Sequence, residues 1–149
     1  MITRTAIPTD LDALVNLEQR LFPEDAWPRE QIRDNIVSPY ANFIVAVDGD
    51  DIVGYAIGHF LPANDVADIH NIAVVESHRG RGIGGALFDD LIEWSRERGA
   101  SALMLEVRAD NTVAQSLYSS RGFHVIATRQ NYYQPAGVDA LVMRREVSA

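Results

Sequence analysis

Between Arg79 and Gly85 the chain reads Arg-Gly-Arg-Gly-Ile-Gly-Gly, four glycines and two arginines in seven positions. Glycine has no Cβ to keep a ligand from the backbone, and arginine brings fixed positive charge. Ahead of this run lies a stretch of strand character, Ile69 to Val75. Behind it Ala86, Leu87, Leu91 and Trp94 fall at helical spacing. A strand, a glycine-rich turn and a helix N-terminus aim backbone N–H groups and the positive end of a helix dipole at one point. The chemistry expected of Asp68 to Gly85 is anion binding, with phosphate the natural ligand. A glycine turn without a ligand is the weaker reading, because ordering so many glycines costs conformational entropy.

Other residues able to do chemistry are scattered. In the run Leu103 to Val107, Leu103, Leu105 and Val107 share one strand face, and Met104, Glu106 and Arg108 share the other. Alone, Glu106 reads as a solvent-facing strand residue. Asp68 and His70 share a face of the strand before the glycine turn, and His70 reads as half-buried polar. Tyr118 lies on a helical stripe with Ala114, Leu117 and Arg121, the pattern of a core tyrosine. Its phenol, ordinarily near ~10, is also a workable proton donor to a thiolate near ~8.5. Asn111 reads first as a helix cap.

The elements that must position these residues follow from pattern and punctuation. Ile2 to Ala6 alternates like a short strand. Pro8-Thr9 opens a helix with Thr9 as its cap and Leu11, Leu14, Val15 and Leu21 on one face. Leu21 to Trp27 breaks that pattern, and Pro28 suits the first position of a second helix carrying Ile32 and Ile36. Phe43 to Val47 and Ile52 to Phe60 are strands joined by Asp48-Gly49-Asp50-Asp51, a hairpin signal. Pro62 to Asp65 turns into the central strand. The helix after the glycine turn runs to about Arg98 and stops at Gly99. Leu103 to Val107 follows as a strand parallel to the central one. Asp110-Asn111-Thr112 caps a short helix through Ser120, with Thr112 and Gln115 matching a capping box. Phe123 to Thr128 and Val138 to Met143 close the chain as an antiparallel pair, with Asn131 to Gly137 between them. The expected class is α/β (α+β): a mixed sheet of about six to seven strands, flanking helices and one parallel β-α-β crossover. Residues 1–149 carry no repeat or linker, so one domain is expected.

Composition narrows the partners. A net charge of −8 opposes binding to the phosphate backbone of nucleic acid and suits an amine substrate. With no cysteine there is no disulfide, no thiolate nucleophile and no cysteine metal site, and no metal is expected. The N-terminus lacks an apolar signal region, and no run of about 18 apolar residues suggests a membrane span. A cytoplasmic protein is the expectation, and a monomer is compatible with it.

Two ligand readings of the glycine turn can be weighed against each other. Gly80, Gly82 and Gly85 formally satisfy G-x-G-x-x-G, and Glu106 stands about 20 residues on, where a dinucleotide fingerprint has an acid. Against this, Glu76 to Arg79 separates the strand from the glycines, and one crossover is too few for a doubly wound sheet. A Walker loop is excluded, since no Gly-Lys-Ser/Thr follows. By contrast, Arg79 to Gly84 fits Arg/Gln-x-x-Gly-x-Gly/Ala, and in this the chain resembles the acyl-CoA loop of GNAT acetyltransferases. Asn71 to Val74, Leu105 to Asn111, Ala114 to Phe123 and Asn131 to Tyr133 are similar to the RimI-type alanine N-acetyltransferases of that superfamily. Phe22-Pro23 and Trp27-Pro28 match more weakly.

The resemblance implies a GNAT fold, acetyl-CoA as acetyl donor, and roles for named residues. It gives the pyrophosphate to Arg79, Gly80, Arg81, Gly82, Ile83, Gly84 and Gly85. The pantetheine arm falls to the backbone of Ile72, Ala73 and Val74, and Asn111 to a cofactor contact. It makes Glu106 the general base and Tyr118 the proton donor to the leaving thiolate; His70, from its place on the neighbouring strand, is the runner-up base. Phe22, Trp27, Tyr132 and Tyr133 match regions that wall a peptide groove. The implied partner is a protein N-terminus, that of a ribosomal protein with N-terminal alanine. An acetyltransferase of small amines and a non-catalytic acyl-CoA-binding protein are the rival expectations. Without a cysteine to carry acetyl, direct attack in a ternary complex is expected.

Overall fold

The structure, a computed structural model, describes residues 1–147. Strand β1 (Ile2–Thr5) leads through a 3-10 turn, Pro8–Asp10, into α1 (Leu11–Leu21) and α2 (Arg29–Val37). Strands β2 (Ala41–Asp48), β3 (Asp51–His59) and β4 (Val66–Val74) follow as an antiparallel meander. Helix α3 (Ile83–Glu97) crosses to β5 (Ala102–Arg108), then α4 (Thr112–Ser120), β6 (His124–Tyr133) and β7 (Val138–Glu146) complete the chain. All seven strands form one sheet in the order β1-β2-β3-β4-β5-β7-β6, and β4 with β5 is its parallel pair. No helix among the described residues is long and apolar enough to cross a membrane.

The helices cover both faces of the sheet. Gly54 and Gly58 on β3 turn one face toward α3, so closely that a Cβ on Gly58 would lie 3.0 Å from Leu91 and one on Gly54 3.4 Å from Leu87. Tyr55, between them, faces the other way and donates to Glu18 of α1. Alternation along one strand thus separates an α3 layer from an α1–α2 layer. Leu87, Phe88 and Leu91 of α3 are fully buried, as are Ala46 and Ala56 beneath them.

Several expectations about element ends are corrected. Thr9 does not cap α1. Asp10 lies at that position and its carboxylate accepts from the Arg4 guanidinium (2.8 and 3.0 Å) and the Ile7 N–H (2.8 Å), which lower its pKa. Pro28 sits just outside α2 in extended conformation rather than within its first turn. The Thr112–Gln115 capping box does not form. Asn111 caps α4 by accepting from Ala114 N–H (3.1 Å), while Gln115 donates to the carbonyls of Arg108 and Ala109. Strand β7 runs past Met143 through Arg144, Arg145 and Glu146, because its ladder with β5 continues to Ala102. Backbone pairing there overrides the polar pattern.

Candidate active site

The site begins where the parallel pair fails. Strands β4 and β5 are paired from Val66–Ala102 to Ile69–Leu105 and no further. Beyond that point β4 continues to Val74 and β5 to Arg108 without bonding each other, so the sheet opens into a cleft. The β5-facing backbone edge of Ile72, Ala73 and Val74 has no strand partner there. A bulge marks the start of the divergence: Gly58 pairs with Ile69 and Ile57 with Asn71, leaving His70 extra. Such an insertion bends a strand and re-aims its side chains. Asp68 and His70 share a face, as expected, but the bulge turns Ile72 and Val74 to the α3 side, where Val74 lies beside Gly54 and Leu87.

Two adjoining cavities of about 550 and 270 Å³ occupy this region. Glu106, His70, Trp27 and Tyr133 line both, so Glu106 sits at their junction. The larger cavity adds Asp68, Arg129 and Tyr132. The smaller adds Glu18, Phe22, Ile72, Asn111 and Tyr118. Ala73, Val74 and the loop Arg79 to Gly85 line neither, and lie further along the cleft at the start of α3.

Electrostatics differ sharply among these groups. Arg129 Nε approaches Glu106 Oε1 at 3.4 Å, and Tyr132 is raised above its usual pKa by a hydrogen bond to Glu106 and by that charge. Burial pushes Tyr118 up to about 12, with a smaller push from Tyr133. Its ring packs on Phe88 (5.3 Å between centroids) and Phe123 (6.3 Å), so the core reading of Tyr118 holds, and the residue also lines the smaller cavity. Burial lowers His70 below the usual histidine value against the pull of Asp68, and raises Asp68 against the pull of His70 and His59. Trp27 stands edge-on to His70 at 6.1 Å.

The tyrosine pair owes its placement to an irregularity the sequence pattern did not show. Arg129 pairs with Ala140 and Tyr133 with Val138, so Gln130, Asn131 and Tyr132 stand opposite Asp139 alone. Asn131 takes φ +54 and its N–H donates to Asp139 Oδ1 (2.9 Å). Tyr132 and Tyr133 lie edge to face at 5.1 Å, with Arg129 over the first ring and Arg108 over the second. They belong to β6 itself, which corrects the expected loop from Asn131; the turn is confined to Gln134–Gly137.

The residues of the glycine loop offer different groups. Gly80 and Gly82 have φ near +80, with open space where a Cβ would stand, and Gly82 is the residue before α3. The first helical bond runs from Ala86 N–H to the Gly82 carbonyl, leaving the N–H groups of Ile83, Gly84 and Gly85 without intrahelical partners. The bare face of Gly85 is filled by the Arg121 guanidinium, which also donates to Asp89 (3.1 Å), and the Ile83 side chain is buried in the core. These two therefore offer a ligand backbone only. Arg79 is tied back to β4 by its bond to the Val74 carbonyl (3.0 Å), while Arg81 is exposed. An extended phosphate-bearing ligand fits this run of open backbone, free N–H groups and arginine.

Glu18 was missed by sequence reasoning. It is only 3% exposed, lies between Leu14 and Leu21 on the apolar face of α1, and lines the smaller cavity. An acid on an apolar stripe was the available signal.

The cleft between parallel neighbours and the glycine turn at a helix start are those of an acyl-CoA-dependent transferase, and the chain belongs to the Acetyltransferase (GNAT) family, whose model matches residues 11–123. Within it, the chain is similar to the N-alpha-acetyltransferase RimI of Mycobacterium tuberculosis, 35% identical over 142 residues, spanning 92% of this chain and 87% of that one. It is also similar to the crystal structure of the ribosomal-protein-S18-alanine N-acetyltransferase of Escherichia coli (TM-score 0.88, 31% identity, 99% of this chain and 94% of that chain). An uncharacterised Mycobacterium leprae protein is 37% identical over 98% of this chain, which spans only 41% of that relative's length.

Proposed function

We propose that the chain transfers acetyl from acetyl-CoA to the N-terminal α-amine of a protein, with an N-terminal alanine of a ribosomal protein as substrate. The relatives named for that reaction support this reading, and one observation carries it: Glu106 lies at the junction of an aromatic-walled cavity and the β4–β5 cleft. Acetyl-CoA supplies the acetyl thioester. The N–H groups from Ile83 to Gly85, with Gly80, Gly82, Arg79 and Arg81, hold the pyrophosphate. The open edge of Ile72, Ala73 and Val74 receives the pantetheine arm and offers N–H groups to polarise the thioester carbonyl. Asn111 contacts the same ligand while it caps α4.

Glu106 takes the proton from the α-amine, much of which is protonated near neutrality at its ordinary pKa of about 8. The Tyr118 hydroxyl serves the leaving sulfur. Phe22, Trp27, Tyr132 and Tyr133 wall the peptide, and the amine attacks directly, since no cysteine is present to carry the acetyl group. His70 is a wall residue here, and His70→Gln is expected to keep activity within about threefold.

Intact-mass analysis of peptides incubated with protein and acetyl-CoA tests the reading. A gain of one acetyl on alanine-first peptides, abolished by blocking the N-terminus, is the expected result. Acetylation of polyamines, amino acids or aminoglycosides without any peptide would refute it, and so would acetyl-CoA binding without turnover. The glycine loop has its own test. Gly82→Ala places a Cβ on a left-handed backbone at a cost of about 1–2 kcal/mol and shifts the start of α3. It is expected to raise the KM for acetyl-CoA severalfold while leaving the peptide KM unchanged.

A further inference from the structure

Glu18 is the one acid beside Asp10 with almost no exposure, and no step above uses it. Its carboxylate is met by donors from three separate segments. Two hydrogen-bond it directly, Tyr55 O–H from β3 and Asn71 Nδ2 from the residue following the β4 bulge (3.3 Å), and the Trp27 backbone N–H of the α1–α2 connection acts on its charge. No acceptor shares this set, so an ionised carboxylate matches it and an amide or a protonated acid does not. Beyond Asn71 comes the open edge of β4, and beyond Trp27 the ring that stands edge-on to His70. Both flank the cavities that meet at Glu106.

We propose that Glu18 is a positioning residue for substrate: it pins the Phe22–Trp27 connection to the β4 bulge and so sets the wall against which the amine-bearing chain lies. This rests on the reading of that cavity as the peptide groove. Energetics agree with a functional rather than a stabilising role. Burial raises the Glu18 pKa more than its three donors lower it. A raised folded-state value favours folding at pH below the ordinary carboxylate range, and that benefit is lost as pH rises through the shifted value. At neutral pH the ionised group is therefore a net cost to the fold. A well-packed apolar substitute would serve stability better; what it could not do is gather three donors.

The test uses the full chain with its best peptide. In Glu18→Gln, and in the double variant Glu18→Leu with Tyr55→Phe, the peptide KM is expected to rise about 10-fold or more, the loss of a buried charge-assisted contact. The KM for acetyl-CoA stays within twofold, and the double variant melts no lower than the parent. In a Trp94→Phe background, which leaves Trp27 as the remaining tryptophan, either variant shifts the emission to the red as the connection loosens. An unchanged peptide KM in a cooperatively melting variant overturns the proposal. So does a parallel rise of both KM values with a lowered melting point, which marks a merely structural role. Should the wild type acetylate no peptide, the functional reading fails on its own account, and Trp27 emission still decides whether Glu18 holds the loop. If both variants fail to fold, Asn71→Ala, which removes one donor, is read by the same measures.

Discussion

Replacing Glu106 by glutamine is expected to lower kcat/KM for the peptide about 10²- to 10⁴-fold at pH 7, the range for losing a positioned general base. The amide keeps the shape and an acceptor for Arg129 but cannot take a proton. The side chain is 29% exposed and lies on the polar face of β5, so the melting temperature should be close to that of the parent. Acetyl-CoA affinity should be little changed, since the amide keeps the shape of the side chain and no part of the pyrophosphate loop lines the cavities around Glu106. The pH profile gives the sharper test. An α-amine titrates near ~8 and loses its proton to bulk solvent above that value. The deficit of the variant should therefore shrink as pH rises through ~8, because the task of the missing carboxylate is then done by water. A variant within threefold of wild type at pH 7, or a deficit that grows with pH, removes Glu106 from the role of base.

Removing one oxygen in Tyr118→Phe is expected to reduce kcat about 10- to 10³-fold with the peptide KM little changed. The ring remains packed on Phe88 and Phe123, so folding is preserved. The pKa near 12 bears on the chemistry expected of this residue. Complete proton transfer from such a phenol to a thiolate near ~8.5 is uphill by roughly 3.5 units, on the order of 5 kcal/mol. We therefore propose that Tyr118 acts as a hydrogen-bond donor to charge developing on sulfur and keeps its proton throughout the working range. An unshifted tyrosine would impose a fall in rate near pH 10; for this one, no fall from its ionisation is expected below about pH 11. A rate that declines near pH 10 in the wild type but not in Tyr118→Phe would contradict this.

Element types were legible because they rest on local rules. Alternation in Phe43 to Val47, the Asp48 to Asp51 hairpin and the Gly99 stop all act over a few residues. The polar face of β5, with Glu106 on it, was legible for the same reason. What made Glu106 and Tyr118 stand out was resemblance rather than pattern, since a polar strand residue and a core tyrosine are common in any fold. Helix starts misled at α1: Asp10, not Thr9, stands just before the α-helix, and its carboxylate is held by Arg4 and the Ile7 N–H rather than by the helix. Asn111 prevailed over Thr112 because its side chain reached the Ala114 N–H.

By itself the sequence determined a mixed α/β chain with an anion-binding turn at the start of a central helix. Glycine conformation, helix dipole and arginine charge are local properties that need no distant partner. Tertiary structure decided everything that depends on two segments meeting. The divergence of β4 from β5 after Ile69 is a matter of pairing between strands far apart in the chain. The bulges at His70 and at Gln130–Tyr132 exist only relative to their neighbouring strands. The three donors at Glu18 come from positions up to 53 residues away. Periodicity reports which face a residue takes, but a cleft is made where hydrogen bonding between neighbours stops, and no single segment encodes that point.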